Sequence, residues 1–118
     1  MHNFRELKIW NRARVLVKEI YQLTKSLPSD ELYGLNSQIR RAVISIPTNI
    51  AEGCGRNSDK ELVRYLNIAN GSAFELETLL ILASDLNMIE ETDTNYVISE
   101  INEIEKMIFN FKQKLSNE

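Results

Sequence analysis

The sequence predicts an all-α protein, an up-down-up-down antiparallel four-helix bundle forming one domain over residues 1–118. Three observations predict it. Apolar residues recur every three and four positions in four separate segments, the period of an amphipathic helix. The breaks between segments are short, and short connections make consecutive helices antiparallel neighbours. No alternating strand pattern, low-complexity tract or internal repeat interrupts them. A chain of this length buries about two thirds of its unfolded surface, enough for a core without staples.

The first helix is expected over about 4–27. Leu7, Trp10, Val17, Ile20, Thr24 and Leu27 form its buried face, and Ile9, Leu16 and Leu23 an adjacent strip, so the apolar arc is wide. Pro28 stops it, because proline disfavours helical geometry in the residue before it. Ser29, Asp30 and Gly34 make the turn. The second helix is expected over about 35–52, with Ile39, Ala42, Val43, Ile46 and Ile50 on one face. Gly53 and Gly55 end it through the left-handed conformation that glycine adopts at little cost.

Ser58 with Glu61 three residues on is a capping box, which starts a third helix over about 58–86. Its core file is Leu62, Ala69, Ala73, Leu76, Leu80 and Ala83. Gly71 in mid-helix costs about 1 kcal/mol against alanine, and close approach of a neighbouring backbone is the expected reason. An acidic loop around Glu90, Glu91 and Asp93 leads to a fourth helix over about 95–115, with Val97, Ile101, Ile104, Ile108, Phe111 and Leu115 inward.

The second helix carries two features that a plain amphipathic helix lacks. Gln38, Arg41, Ser45, Thr48, Asn49, Glu52 and Arg56 fall close to one line. Pro47 sits mid-helix, where it removes one hydrogen bond and crowds the Val43 carbonyl, at a cost of about 3 kcal/mol in isolation. Ser45 or Thr48, or a neighbouring chain, is expected to compensate, and a bend there suits a helix packed on several partners. A hairpin of helices two and three centred near Asn57 sets Arg40 and Arg41 opposite Glu75, as an ion pair, and Gly71 opposite Val43.

Charge is distributed unevenly. Residues 1–64 hold eleven Lys/Arg against seven Asp/Glu, and residues 65–118 three against ten. Arg56, Lys60 and Arg64 make one basic strip where the third helix begins, and Arg5, Lys8 and Arg12 make another on the first helix. Helix N-termini favour anions, so these six are the candidate phosphate-binding residues. The simpler alternative is a solvated face, since Glu6, Asp59 and Glu61 are interleaved. No aromatic residue is interleaved in the Arg56 strip to stack a base.

Catalytic chemistry is not legible. The single cysteine, Cys54, excludes an internal disulfide framework and a cysteine-rich zinc site. The one histidine, His2, lies in a terminus expected to fray, which removes a Cys–His pair and the Glu-x-x-His ligands of a di-iron bundle. Glu52, Glu75 and Glu77 show no paired acid and base. The stretch Gly53-Cys-Gly55-Arg-Asn-Ser58 follows a helix and lacks the Lys-Ser/Thr ending of a phosphate loop. The expectation is a non-enzyme with no cofactor, no metal and no small-molecule substrate. No run is apolar enough to span a bilayer, so a cytoplasmic protein with no membrane partner is expected.

Several segments together resemble one family: Phe4-x-x-Leu7-x-x-Trp10, Tyr33-Gly-Leu35 with Gln38-Ile-Arg-Arg41, Ser45-Ile-Pro-Thr-Asn-Ile-Ala-Glu-Gly53, Gly55-Arg56, Ser58, and Ala69-x-Gly71-Ser-Ala-x-Glu75-Leu-Glu77. The pattern resembles the four-helix-bundle proteins encoded within intervening sequences of 23S ribosomal RNA genes, often labelled as ribosomal proteins. It is also similar to the accessory proteins of diversity-generating retroelements, pentameric barrels that bind nucleic acid through a basic surface. The chain departs from that branch in charge, with a pI of about 5.3. The resemblance implies a ring-like homo-oligomer, a homopentamer being favoured, with a role at RNA or an RNA–protein complex. It makes Gln38, Arg40, Arg41, Ser45, Pro47, Asn49, Glu52, Gly71 and Glu75 candidate assembly residues. The alternative is a protein-interaction scaffold without nucleic acid.

Overall fold

A computed structural model of the chain describes residues 2–27 and 34–116. Pro28, Ser29, Asp30 and Tyr33, read above as helix stop, turn and motif, lie outside them. The four helices are α1 (Lys8–Leu23), α2 (Leu35–Cys54), α3 (Asp59–Asp85) and α4 (Glu91–Ser116), preceded by a 3-10 turn over Phe4–Glu6. No strand occurs among the described residues. Each helix packs on its two neighbours in cyclic order, α1 on α2, α2 on α3, α3 on α4 and α4 on α1, with the α2–α3 contact the most extensive. Their apolar stripes meet in one core, where Leu16, Ile20, Ile39, Ile46, Leu66, Leu80, Ile101 and Ile104 are fully shielded.

The start of α1 differs from the expectation. Leu7 is extended (φ −77°, ψ 130°) and separates the 3-10 turn from the helix. The Asn11 side-chain amide holds the break, donating to the carbonyls of Arg5 and Leu7 at 3.0 Å each. The buried face is Ile9, Ala13, Leu16 and Ile20. The file through Leu7, Trp10 and Val17, expected to be buried, is only half covered. The wide apolar arc therefore has one flank in the core and the other on the surface. At the far end, buried Thr24 donates its hydroxyl to the Ile20 carbonyl (2.8 Å).

In α2 the helix runs through Pro47 to Cys54. Thr48 donates to the Ile44 carbonyl (2.9 Å) and Asn49 to the Ser45 carbonyl (2.7 Å), each one turn back. Neither bond reaches the Val43 carbonyl that the proline leaves, so the expected local compensation by Ser45 or Thr48 is not what forms.

The glycines exchange the roles assigned to them. Gly53 lies inside α2, Gly55 is right-handed, and no described glycine has positive φ. A Cβ on Gly53 would stand 2.8 Å from the Tyr65 Cβ and 3.3 Å from the Leu62 carbonyl oxygen, so Gly53 lets α2 and α3 approach closely there. A Cβ on Gly71 would meet nothing within 4 Å, and Gly71 does not lie against Val43. Ser45 Oγ and Ser72 Oγ sit 2.8 Å apart, which centres the hairpin between Ser58 and Asp59, slightly past the expected Asn57.

Ser58 caps α3, accepting from the Glu61 N–H at 3.2 Å. Asn87 closes its other end in the left-handed region (φ 60°), with the Met88 N–H returning to the Ala83 carbonyl at 2.9 Å. Helix α4 begins four residues before the expected start. Glu91 and Asp93 are therefore its first turn and not a loop, placed where the positive helix end favours acidic groups.

Candidate nucleic-acid interface

One end of the bundle gathers the start of α1, the end of α2, the start of α3 and the end of α4. The N-terminal segment, expected to fray, is placed against it. The His2 N–H donates to the Cys54 carbonyl (3.3 Å). The His2 ring reaches Asp59 Oδ1 at 3.2 Å and meets Phe111 edge-on, centroids 5.8 Å apart. This brings Arg5 and Lys8 to the end that carries Arg56, Lys60 and Arg64.

Charge is also uneven along the molecule, whose longest extent is 46 Å. Residues 2–14, 49–66 and 107–116, at this end, hold nine Lys/Arg and four Asp/Glu. The other described residues hold five and ten. A near-neutral described chain thus presents one cationic and one anionic end.

The side chains at the cationic end are not equivalent. Arg56 donates to Glu52 Oε1 (3.0 Å) and to the Tyr65 hydroxyl (2.5 Å), with its guanidinium 4.9 Å from the Tyr65 ring centre. Tyr65 first, and then Glu52, hold the Arg56 charge more firmly than usual. Arg64 lies 5.7 Å from the same ring centre and 3.8 Å from Glu61. An aromatic ring is therefore interleaved with the arginines, contrary to the expectation from sequence. Tyr65 follows Arg64 directly in α3, and its contact with Arg56 is made across the turn. Arg5, Lys8 and Lys60 have no carboxylate within 4 Å among the described residues. Arg12 is lost to the strip. The break at Leu7 separates it from Arg5, and it is bound to Glu100 of α4 at 2.8 Å. The α3 terminus carries its own Asp59 and Glu61, so any attraction for anions at this end falls to the side chains.

The candidate assembly residues divide between a seam and an open cleft. Ser45 and Asn49 face α3, with Asn49 Nδ2 also donating to Ser45 Oγ (2.9 Å) beside Ser72. Gln38, Arg41, Ser45 and Glu75 line an open cleft of about 440 Å³. Arg41 and Glu75 share its walls without coming within 4 Å. Arg40 points the other way, donating to Thr24 Oγ1 (3.0 Å) with its guanidinium 4.3 Å from the centre of the Tyr21 ring. The expected ion pair of this arginine pair with Glu75 is therefore replaced by an α1–α2 clasp. Pro47 packs with Phe4, Trp10, Val17 and Ile44 around a largely apolar groove of about 420 Å³ on the α1–α2 seam.

Cys54 is buried, and burial raises its thiol pKa. The histidine ring that could activate it faces Asp59.

One constellation was missed from sequence. Glu77 of α3 and Glu105 of α4 meet across a seam, and Asn102, with its amide nitrogen inward, donates to Glu77 Oε1 (3.0 Å) and Glu105 Oε1 (3.1 Å). Glu105 Oε2 is shielded and unpartnered. Desolvation first, then the Glu77 charge, push the Glu105 carboxyl up to about 7. The α3–α4 hairpin register was the signal that could have found the pair. Among the described residues no group of three His, Cys, Asp or Glu is placed to hold a metal ion. No helix there is long and apolar enough to cross a membrane.

The family model of the 23S rRNA-intervening sequence protein matches residues 5–110. The chain belongs to that family. The match spans the basic end, the Pro47 helix and most of α4, so the resemblance read from the first three helices extends into the fourth. A crystal structure from Bacteroides thetaiotaomicron, described as a protein of unknown function from the S23 ribosomal protein family, is 25% identical, with a TM-score of 0.80. The alignment covers 88% of this chain and 97% of that one. No curated protein matches the chain.

Proposed function

We propose that this member of the 23S rRNA-intervening sequence protein family is a non-enzymatic homo-oligomer, a ring with a pentamer favoured, that binds RNA through the cationic ends of its subunits. The observation that carries the reading is the separation of charge along the bundle. Arg5, Lys8 and Lys60, which have no carboxylate within 4 Å among the described residues, share that end with the Arg56–Tyr65–Arg64 stack. Phosphate contacts dominate RNA affinity and depend on local charge, so an acidic overall pI does not oppose binding at one end. A ring of parallel subunits gathers these ends on one rim, multiplying the local field. The burial of Cys54 and the engagement of the His2 ring with Asp59 favour a binding role over a catalytic one.

The test is binding of a structured RNA over a salt series. The expected result is affinity that falls steeply with salt, and a shallower slope in Lys60→Gln and Arg5→Gln. Absent binding at low salt, or a slope unaltered by both changes, refutes the RNA reading. Such a result, with assembly intact, leaves the protein-interaction scaffold. The anionic opposite end, a poor nucleic-acid surface, favours that second reading.

A further inference from the structure

The solvent side of helix α3 carries four large apolar side chains among its polar ones. Ile68, Phe74, Ile81 and Leu82 are all exposed, Phe74 at 58%. Gly71 lies among them with open space where a Cβ would be. A glycine in mid-helix forgoes about 1 kcal/mol of helix stability, and no contact among the described residues explains this one. On the other side of the molecule, Phe4, Trp10, Val17, Ile44 and Pro47 line the apolar groove between α1 and α2. A ridge with a notch and a groove thus lie on different faces of one chain.

Their heights agree. The Ser45–Ser72 contact sets the register of α2 against α3. By that register Pro47 is level with Asn70 and Ile44 with Ala73, so Gly71 stands level with the middle of the groove. Rotation about an axis parallel to the bundle preserves height, so a parallel neighbour brings ridge to groove without sliding. Charge agrees too: Arg14 stands on the groove with its guanidinium over Trp10, and Glu75 lies beside the ridge.

We propose that the groove of one copy receives the α3 ridge of the next around Gly71 and Phe74, a heterologous contact that closes into a ring of parallel subunits. This rests on the oligomer reading above and adds to it the two surfaces and their polarity. Head-to-tail contacts between unlike patches close rings when the rotation permits, whereas a shared two-fold patch stops at a dimer. Burying the aromatic and aliphatic ridge in a groove of similar character supplies the apolar centre that specific interfaces share. The notch at Gly71 admits the neighbour's Pro47 wall.

The experiment pairs light scattering with cross-linking on the full chain. Wild type is measured first, and a monomer at all concentrations overturns the oligomer reading and this inference together. Given an oligomer, Phe74→Glu and Gly71→Trp are expected to weaken assembly by about tenfold or more in apparent Kd. Helical circular dichroism should be retained, since both positions face outward. Gly71→Ala serves as the folding control, its Cβ meeting nothing within the chain. A short bis-maleimide applied to a Thr48→Cys, Gly71→Cys double variant should give a ladder of linked subunits, and neither single variant should. Dimers from Gly71→Cys alone, or full assembly in Phe74→Glu and Gly71→Trp, overturn the ridge-and-groove contact while leaving the oligomer reading standing. Buried Cys54 does not compete for the reagent.

Discussion

Replacing Glu105 by glutamine should raise stability at alkaline pH and leave it unchanged in acid. Glu105 is held at about 7 against an ordinary 4.5, by desolvation and by the Glu77 carboxylate. No cation on α3 or on its own helix offsets this, because Lys106 is turned to Glu103 at 3.7 Å. The folded state therefore retains a proton that the unfolded chain releases. The stabilising effect is complete below pH 4.5, declines as pH rises, and is gone above about 7. A fully shielded carboxyl with this displacement loses about 3 kcal/mol over that window. Glu105 is partly open to water, and screening reduces the figure to about 1–2 kcal/mol. Glutamine at 105 stays neutral and can still bond Glu77, so its profile lacks the decline. At pH 8 the variant should melt about 3–8 °C above wild type, converging with it below pH 4.5. The assay is thermal and urea unfolding followed by circular dichroism, at fixed protein concentration because assembly shifts melting. A difference that does not change with pH, or a wild type that gains on the variant between pH 5 and 8, refutes the argument that the folded state retains a proton on Glu105.

Gly53→Ala should destabilise the fold by about 1–3 kcal/mol in urea unfolding, because its Cβ meets the backbone-fixed Tyr65 Cβ at 2.8 Å and the helices must part. Ser45→Ala should cost about 1 kcal/mol by the same measurement, since it removes the α2–α3 hydroxyl bond and one of the partners of Asn49. Ser58→Ala should cost about 1 kcal/mol through loss of the α3 cap, with little effect on assembly. Cys54 should react with a thiol reagent only as fast as the protein opens, so its labelling rate should rise with urea in parallel with unfolding.

Much of the fold was legible because helical periodicity and caps are local. Ser58 and Glu61 mark the start of α3 within one turn of chain, and the inward file from Leu62 to Ala83 needs no knowledge of a neighbour. The errors lie where one helix must know where another stands. Leu7, Trp10 and Val17 share a helical face with true core residues, and only the positions of α2 and α4 leave that flank half open. The proximity of His2 to Asp59 and Phe111 likewise depends on three chain segments meeting, which no motif announces.

The sequence by itself determined four amphipathic helices, their order, their family and the surplus of cations in the first half, because each is written in local spacing or composition. The tertiary structure decided which glycine separates two backbones and which faces outward, since that depends on inter-helix distance. It also decided that Arg40 clasps α1, that Tyr65 joins Arg56 and Arg64, and that Glu77 meets Glu105. Above all, folding brought the ends of four helices together, so that nine Lys/Arg share one end of the bundle and ten Asp/Glu the other.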